Sequence, residues 1–330
     1  MDVKLSPELF DNWMPVRIFW RPDGPYVDWC YMQNDRFTKP FFDTTIQGRW
    51  KNLFSHLFRH ETPADHLRDL HIARPGLPPT GFIFHMSRCG STLISQMLAA
   101  LPQNIVISEA PPIDSILRTS TLDPRITDEQ RIAWLQGLAS ALGRKRFPEE
   151  KYYFIKFDSW NTLDLDIIRR AFPDVPWIFL YRDPVEVIVS QMRQRGAQMI
   201  PGTLSHLLPG LDFAEMAEMS GEEYCARVLE RICKSVVEQI EKDGQHALLV
   251  NYQQLPAAAS SIVMDHFRIS YSADDLETMN AAAKFDAKTP QNEFVPDTRA
   301  KRAEAGEAVI EAAGRVNLVY ERLEKMRTAS

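Results

Sequence analysis

Residues 81–98 read GFIFHMSRCGSTLISQML. The opening GFIFHM is a short apolar run bounded by glycine, the pattern of a buried strand, and STLISQML places its apolar residues at helical spacing. Between them Ser87, Arg88, Cys89, Gly90, Ser91 and Thr92 make a tight turn. A strand that enters a helix through such a turn presents backbone N–H groups, the positive end of a helix dipole, two hydroxyls and a guanidinium to one point. All of these suit an anion. Gly90 lets the backbone approach a ligand closely. The plainer alternative is that Ser91 and Thr92 cap a core helix.

Outward from this turn, short apolar runs alternate with amphipathic stretches: NIVISEA, YYFIKFD, WIFLYRD and HALLVNY are strand-like, each followed or preceded by a helical pattern. That alternation predicts an α/β fold with a central, mostly parallel sheet flanked by helices, the carboxyl ends of its strands along one ligand-binding edge. Residues 1–80 differ. They hold Trp13, Trp20, Trp29 and Trp50, four of the seven tryptophans, and Val16, Ile18, Trp20 alternate before a Pro22–Pro25 break, as Val27, Trp29, Tyr31 do after it. This predicts an aromatic β-hairpin, read as one face of a small core or as a substrate-facing surface. The expected organisation is an N-terminal extension, 1–80, and an α/β domain, 81–330. Residues 196–220 mix Gly, Pro and Met without a period, as a flap or a plain connection would. The basic Arg144–Arg146 run reads as a solvated helix end.

The 330 residues are 45% hydrophobic and 25% charged, with a formal net charge of −6. This composition is that of a globular protein, and its charge argues against a general nucleic-acid binder. No apolar run of about 18 residues is present to span a membrane, and the first residues lack the basic-then-apolar pattern of a signal peptide. A cytoplasmic location is expected. The four cysteines show no CxxC pair, so reduced thiols and no metal site are expected.

The ATP-binding pattern GxxxxGK[ST] is absent, because Gly81 and Gly90 are too far apart and no lysine precedes the hydroxyl residues. The segment SRCGST instead resembles the phosphosulfate-binding loop of the sulfotransferases that use 3′-phosphoadenosine 5′-phosphosulfate (PAPS), a P-loop-like fold. There the loop reads Pro-(Lys/Arg)-Ser-Gly-(Ser/Thr)-Thr. Arg88, Gly90, Ser91 and Thr92 match, while Ser87 replaces the proline and Cys89 the first serine. The second family element is an Arg at the end of a later strand and a Ser eight residues on, and WIFLYRDPVEVIVS supplies Arg182 and Ser190. Independently, Asp183 and Pro184 read as a helix start, which puts Arg182 at a strand's carboxyl end. An Arg there binds the nucleotide or pairs with a nearby carboxylate. ALLVNYQQL, with Gln253 where an acidic residue is usual, resembles a late strand of the family.

The resemblance implies sulfuryl transfer from PAPS to a hydroxyl or amine, leaving adenosine 3′,5′-bisphosphate, with no metal required. It assigns Ser87–Thr92 to the 5′-phosphosulfate, with Arg88 stabilising the transition state, and Arg182 and Ser190 to the 3′-phosphate. Arg299 and Lys301 of PDTRAKRAE stand where the family adds a late basic loop. Glu109, at the end of NIVISEA, stands where several members carry the base, the alternative being a helix cap. Lys156 fits a lysine that contacts the sulfuryl group, but Asp158 or Ser159 stands where cytosolic members place a histidine. His85 reads as a core or loop-supporting residue. The acceptor is a small molecule, carbohydrate or peptide without a pattern that names it. Two alternatives remain at this level: a nucleotide kinase-like phosphotransferase using Asp158 as a metal-holding residue, and a nucleotide-binding scaffold without chemistry.

Overall fold

In this computed structural model, residues 10–50, 59–204 and 207–329 are described. The predicted hairpin forms: β1 (Trp13–Arg21) and β2 (Gly24–Tyr31) pair antiparallel, with Ile18 opposite Val27 and Trp20 opposite Pro25. A third strand, β3 (His60–Pro63), adds to β2. Its sequence, HETP, has no apolar alternation, so the pairing comes from the partner strand rather than from its own pattern. Trp29 is buried, donates to Thr62 Oγ1 at 3.0 Å and lies 4.7 Å from the Phe10 ring, so the aromatic stripe faces a small core.

All five strand-like runs are strands of one parallel sheet: β4 (Gly81–His85), β5 (Asn104–Ser108), β6 (Tyr152–Lys156), β7 (Trp177–Tyr181) and β8 (Ala247–Asn251), in the order β5-β6-β4-β7-β8. Every residue of β4, β5 and β7 is buried, as expected of strands covered on both faces. The helices begin where their capping residues stand. Thr127 closes a capping box at Asp128–Leu142, Asp183 accepts from Val185 N–H at the start of Pro184–Arg193, and Ser220 accepts from Glu223 N–H at the start of Gly221–Lys242.

The chain forms two compact units. The first comprises Met1–Phe82, Ser95–Asp158 and Asp166–Val175, and the second Ile83–Ile94, Ser159–Leu165 and Pro176–Ser330. In the first, Gly137 backs onto Leu67, where a Cβ would come within 2.6 Å of the Leu67 backbone, so the helices Asp65–Ala73 and Asp128–Leu142 meet closely. The Arg144–Arg146 run is not simply solvated: Lys145 is exposed, but Arg144 and Arg146 are half-buried, with Arg146 lying 5.2 Å from the Phe37 ring centre. In the second, Val309, Ala313, Val316, Val319 and Leu323 form the buried stripe of the C-terminal helix, Glu307–Ala329. The irregular stretch after Gly196 holds a short turn, Ala197–Met199, and a helix, Phe213–Glu218; positions 205 and 206 lie outside the described residues. Among the described residues no helix is long and apolar enough to cross a membrane.

Candidate active site

The SRCGST turn lies in the second unit, and its backbone is bent sharply. Ser87, Arg88 and Gly90 have φ of +81°, +51° and +87°, the left-handed region that non-glycine residues enter only when surroundings hold them there. Those surroundings are specific. Ser87 N–H donates to His85 Nδ1 at 3.1 Å, which makes His85 a loop-supporting residue. Ser87 Oγ accepts from Gln191 Nε2 at 2.9 Å and from Gln198 Nε2 at 3.1 Å, so the irregular stretch after Gly196 begins by bracing the loop. Cys89 is fully buried with Sγ 3.1 Å from the Leu180 carbonyl, a small side chain filling the space behind the turn. Ser91 and Thr92 are buried at the start of the helix Ser91–Ala99, and the Arg88 guanidinium donates to the Gln194 carbonyl.

Arg182 follows β7, the neighbour of β4, and the two strand ends are joined directly: Met86 N–H donates to Leu180 O at 3.0 Å. Its guanidinium is buried in a polar cluster. Nε donates to Glu186 Oε2 at 2.6 Å, Nη2 to Asp297 Oδ1 at 3.0 Å and to Thr298 Oγ1 at 3.1 Å, and the Tyr252 ring lies 3.8 Å from the guanidinium carbon. Lys301, also buried, holds the other oxygen of Asp297 at 2.8 Å. Arg302 contacts Asp183 at 2.9 Å and Glu186 at 3.2 Å. Ser190 is half-buried on the helix Pro184–Arg193, and Arg299 is exposed. Arg182, Asp183, Glu186, Tyr252, Leu255, Phe294 and Thr298 are among the residues that line a cavity of about 430 Å³. Arg182 thus pairs with carboxylates, and it also lines this cavity.

In the first unit, Glu109 directly follows β5, with φ of +53° and its N–H donating to Lys156 O at 2.7 Å. Its carboxylate accepts from Lys156 Nζ at 2.5 Å; Lys156 is fully buried, whereas the Glu109 side chain is 21% exposed. The helix after it, Pro111–Leu117, starts at Ala110, which makes no side-chain cap hydrogen bond. Burial, then the carboxylates of Glu109 and Asp114, push the Asp158 carboxyl well above the ordinary range, against the pull of Lys156 and Arg118. Among the described residues, no group of three or more His, Cys, Asp or Glu side chains is arranged to hold a metal ion.

The sulfotransferase family profile matches residues 79–257, more than half of the chain. The chain belongs to the sulfotransferase family. Among curated proteins none matches this sulfotransferase in sequence. Among solved structures it is similar to sulfotransferase STF9 from Mycobacterium avium, at 14% identity over 78% of this chain and 79% of that one, with a TM-score of 0.49. A sulfotransferase from Alicyclobacillus acidocaldarius matches at 14% identity over 74% and 96%, TM-score 0.41, and mouse sulfotransferase SULT7A1 complexed with PAP at 10% identity over 80% and 89%, TM-score 0.37. The matched span holds the loop, Glu109, Lys156, Arg182 and Ser190, while Arg299 and Lys301 lie beyond it.

Reading the sequence missed four contributors to this sulfotransferase's Arg182 cluster, one of them Thr298, whose hydroxyl oxygen accepts from Arg182. Glu186 stands four residues after Arg182 across a helix start, an ion-pair spacing visible in RDPVE. Tyr252 directly follows β8, the strand-end position that had singled out Arg182. Asp297, more than a hundred residues from Arg182, had no local signal at all.

Proposed function

We propose that this sulfotransferase takes its sulfuryl group from PAPS and passes it to a hydroxyl or amine of an acceptor, leaving adenosine 3′,5′-bisphosphate. The observation that carries the donor assignment is the pairing, within one compact unit, of an anion-suited turn after β4 with a buried arginine after the adjacent β7 that lines a cavity. Two anionic groups on one rigid nucleotide ask for such a two-point clamp. In this reading the loop Ser87–Thr92 holds the 5′-phosphosulfate through its hydroxyls and the N–H groups that follow Ser87, and Arg182, Ser190, Arg299 and Lys301 hold the 3′-phosphate. Tyr252, Leu255 and Phe294 supply apolar walls for the base.

For the chemistry, the acceptor oxygen attacks sulfur in line with the departing phosphate oxygen. The new S–O bond forms as the bond to the 5′-phosphate breaks, and the acceptor's proton passes to the Glu109 carboxylate. Arg88 and the loop N–H groups stabilise the charge that develops on the sulfuryl and leaving oxygens. Lys156, ion-paired with Glu109, orients that carboxylate. A metal ion is not assigned a role in this reading.

The test is titration of the intact protein with adenosine 3′,5′-bisphosphate, alongside Arg182→Ala. Micromolar binding by the wild type and at least a tenfold loss in the variant are expected, since a charge-assisted contact to phosphate is worth about 1.5–3 kcal/mol. Absence of binding by the folded wild type sinks the reading. A labelled-donor screen of hydroxyl and amine acceptors then identifies the acceptor class.

A further inference from the structure

We propose that Asp297 is an internal anion held where the nucleotide's 3′-phosphate binds, so that Asp297 and the phosphate compete for Arg182 and Lys301. The inference rests on the nucleotide reading above. Its basis is that Arg182 and Lys301, two of the three cations given to the phosphate, are already bridged by one carboxylate. Asp297 Oδ1 lies 3.0 Å from Arg182 Nη2, and Oδ2 lies 2.8 Å from Lys301 Nζ.

Both Arg182 Nη2 hydrogens are engaged, by Asp297 Oδ1 at 3.0 Å and Thr298 Oγ1 at 3.1 Å, while Nε donates to Glu186 Oε2 at 2.6 Å. A phosphate that takes the Nη2 hydrogens must displace an acceptor, and between the two carboxylates of the cluster burial decides which one leaves. The Glu186 side chain is 3% exposed and also accepts from Thr298 and Arg302; that of Asp297 is 39% exposed. Glu186 stays because removing its donors would leave a charge buried without compensation, a heavy cost. Asp297, already partly in solvent, leaves at the smaller cost, the loss of its contacts to Arg182 and Lys301.

The position of Asp297 in the chain makes its present partners unusual. It is the N-cap residue of the helix Thr298–Glu304, where an aspartate commonly accepts from the first backbone N–H groups, yet its side chain makes no cap hydrogen bond. The carboxylate is given instead to the two cations. Once a phosphate of charge near −2 takes those cations, Asp297 is repelled from them and its own helix start offers it acceptor work.

Asp297 therefore acts as a specificity-determining residue. It lowers affinity for nucleotides that carry a 3′-phosphate and leaves others untouched. The experiment compares binding of adenosine 3′,5′-bisphosphate and adenosine 5′-monophosphate by the wild type and Asp297→Asn, with thermal denaturation to establish that the variant is folded. A five- to tenfold gain for the bisphosphate, with the monophosphate changed less than twofold, is the expected result. An unchanged or weakened bisphosphate affinity, or an equal gain for both nucleotides, overturns the inference while the nucleotide reading stands. If the wild type and the variant both ignore the bisphosphate, the nucleotide reading falls and the inference with it. A crystal structure of the wild type with the bisphosphate bound gives a check independent of the variant: Asp297 displaced from Arg182 supports competition, and Asp297 still bridging Arg182 and Lys301 overturns it.

Discussion

Gly90 shows how much one residue contributes to the loop. Its φ of +87° is open to glycine at no cost, and a Cβ there would stand 2.6 Å from Leu255 Cδ1 and 3.1 Å from the Tyr252 ring. Gly90→Ala adds backbone strain and a clash with two residues that line the Arg182 cavity. A loss of about 1–3 kcal/mol in stability is expected by chemical denaturation, together with weakened bisphosphate binding. A variant as stable as the wild type would show that the turn relaxes freely. Ser87 and Arg88 reach the same backbone region without glycine's freedom, which is why His85, Gln191 and Gln198 are needed around Ser87.

At the scale of elements, the C-terminal helix Glu307–Ala329 staples the strand ends that carry Arg182 and Tyr252. Glu324 accepts from the hydroxyl of Tyr181, the last residue of β7, from Asn251 Nδ2, the last of β8, at 2.9 Å, and from Arg327 at 2.8 Å. Burial pushes the Glu324 carboxyl up, but the hydrogen bonds from Arg327, Tyr181 and Asn251 outweigh it and lower the pKa from 4.5 to about 2. Because the folded value lies below the unfolded one, this stabilisation is present above the unfolded pKa and is lost as pH falls through the folded value. Glu324→Gln is therefore expected to cost about 2 kcal/mol at pH 7, discounted for partial exposure. Its unfolding free energy should converge with that of the wild type as pH falls from 4.5 towards 2. A constant difference across that range would assign the cost to packing instead.

Across the whole molecule, the loop and Arg182, proposed to bind the nucleotide, belong to one compact unit, and Glu109 and Lys156, proposed for proton transfer, to the other. Binding and turnover should then separate by mutation. Glu109→Gln is expected to keep the wild-type affinity for adenosine 3′,5′-bisphosphate and to lose at least a hundredfold in transfer rate, measured with labelled donor on the acceptor found by screening. Unchanged turnover removes Glu109 from the role of base. Much of this arrangement was legible in sequence. The five strands of the parallel sheet announce themselves because strands buried on both faces are continuous apolar runs, and Asp183-Pro184 marks a helix start wherever it stands after one. β3 was not legible, since HETP gains its pairing only from β2.

What the sequence alone determined is local: which segments are strands and helices, where the anion-suited turn lies, and that Arg182 stands at a strand end. Those features depend on spacing and on the conformational limits of a few neighbouring residues. The tertiary structure alone decided the strand order, in which β4 lies beside β6 and β7 rather than β5, and which charges meet. Asp297 reaches Arg182 and Lys156 reaches Glu109 only because distant segments close on one another. An ion pair depends on distance in space and burial, and neither is written in the spacing of the residues that make it.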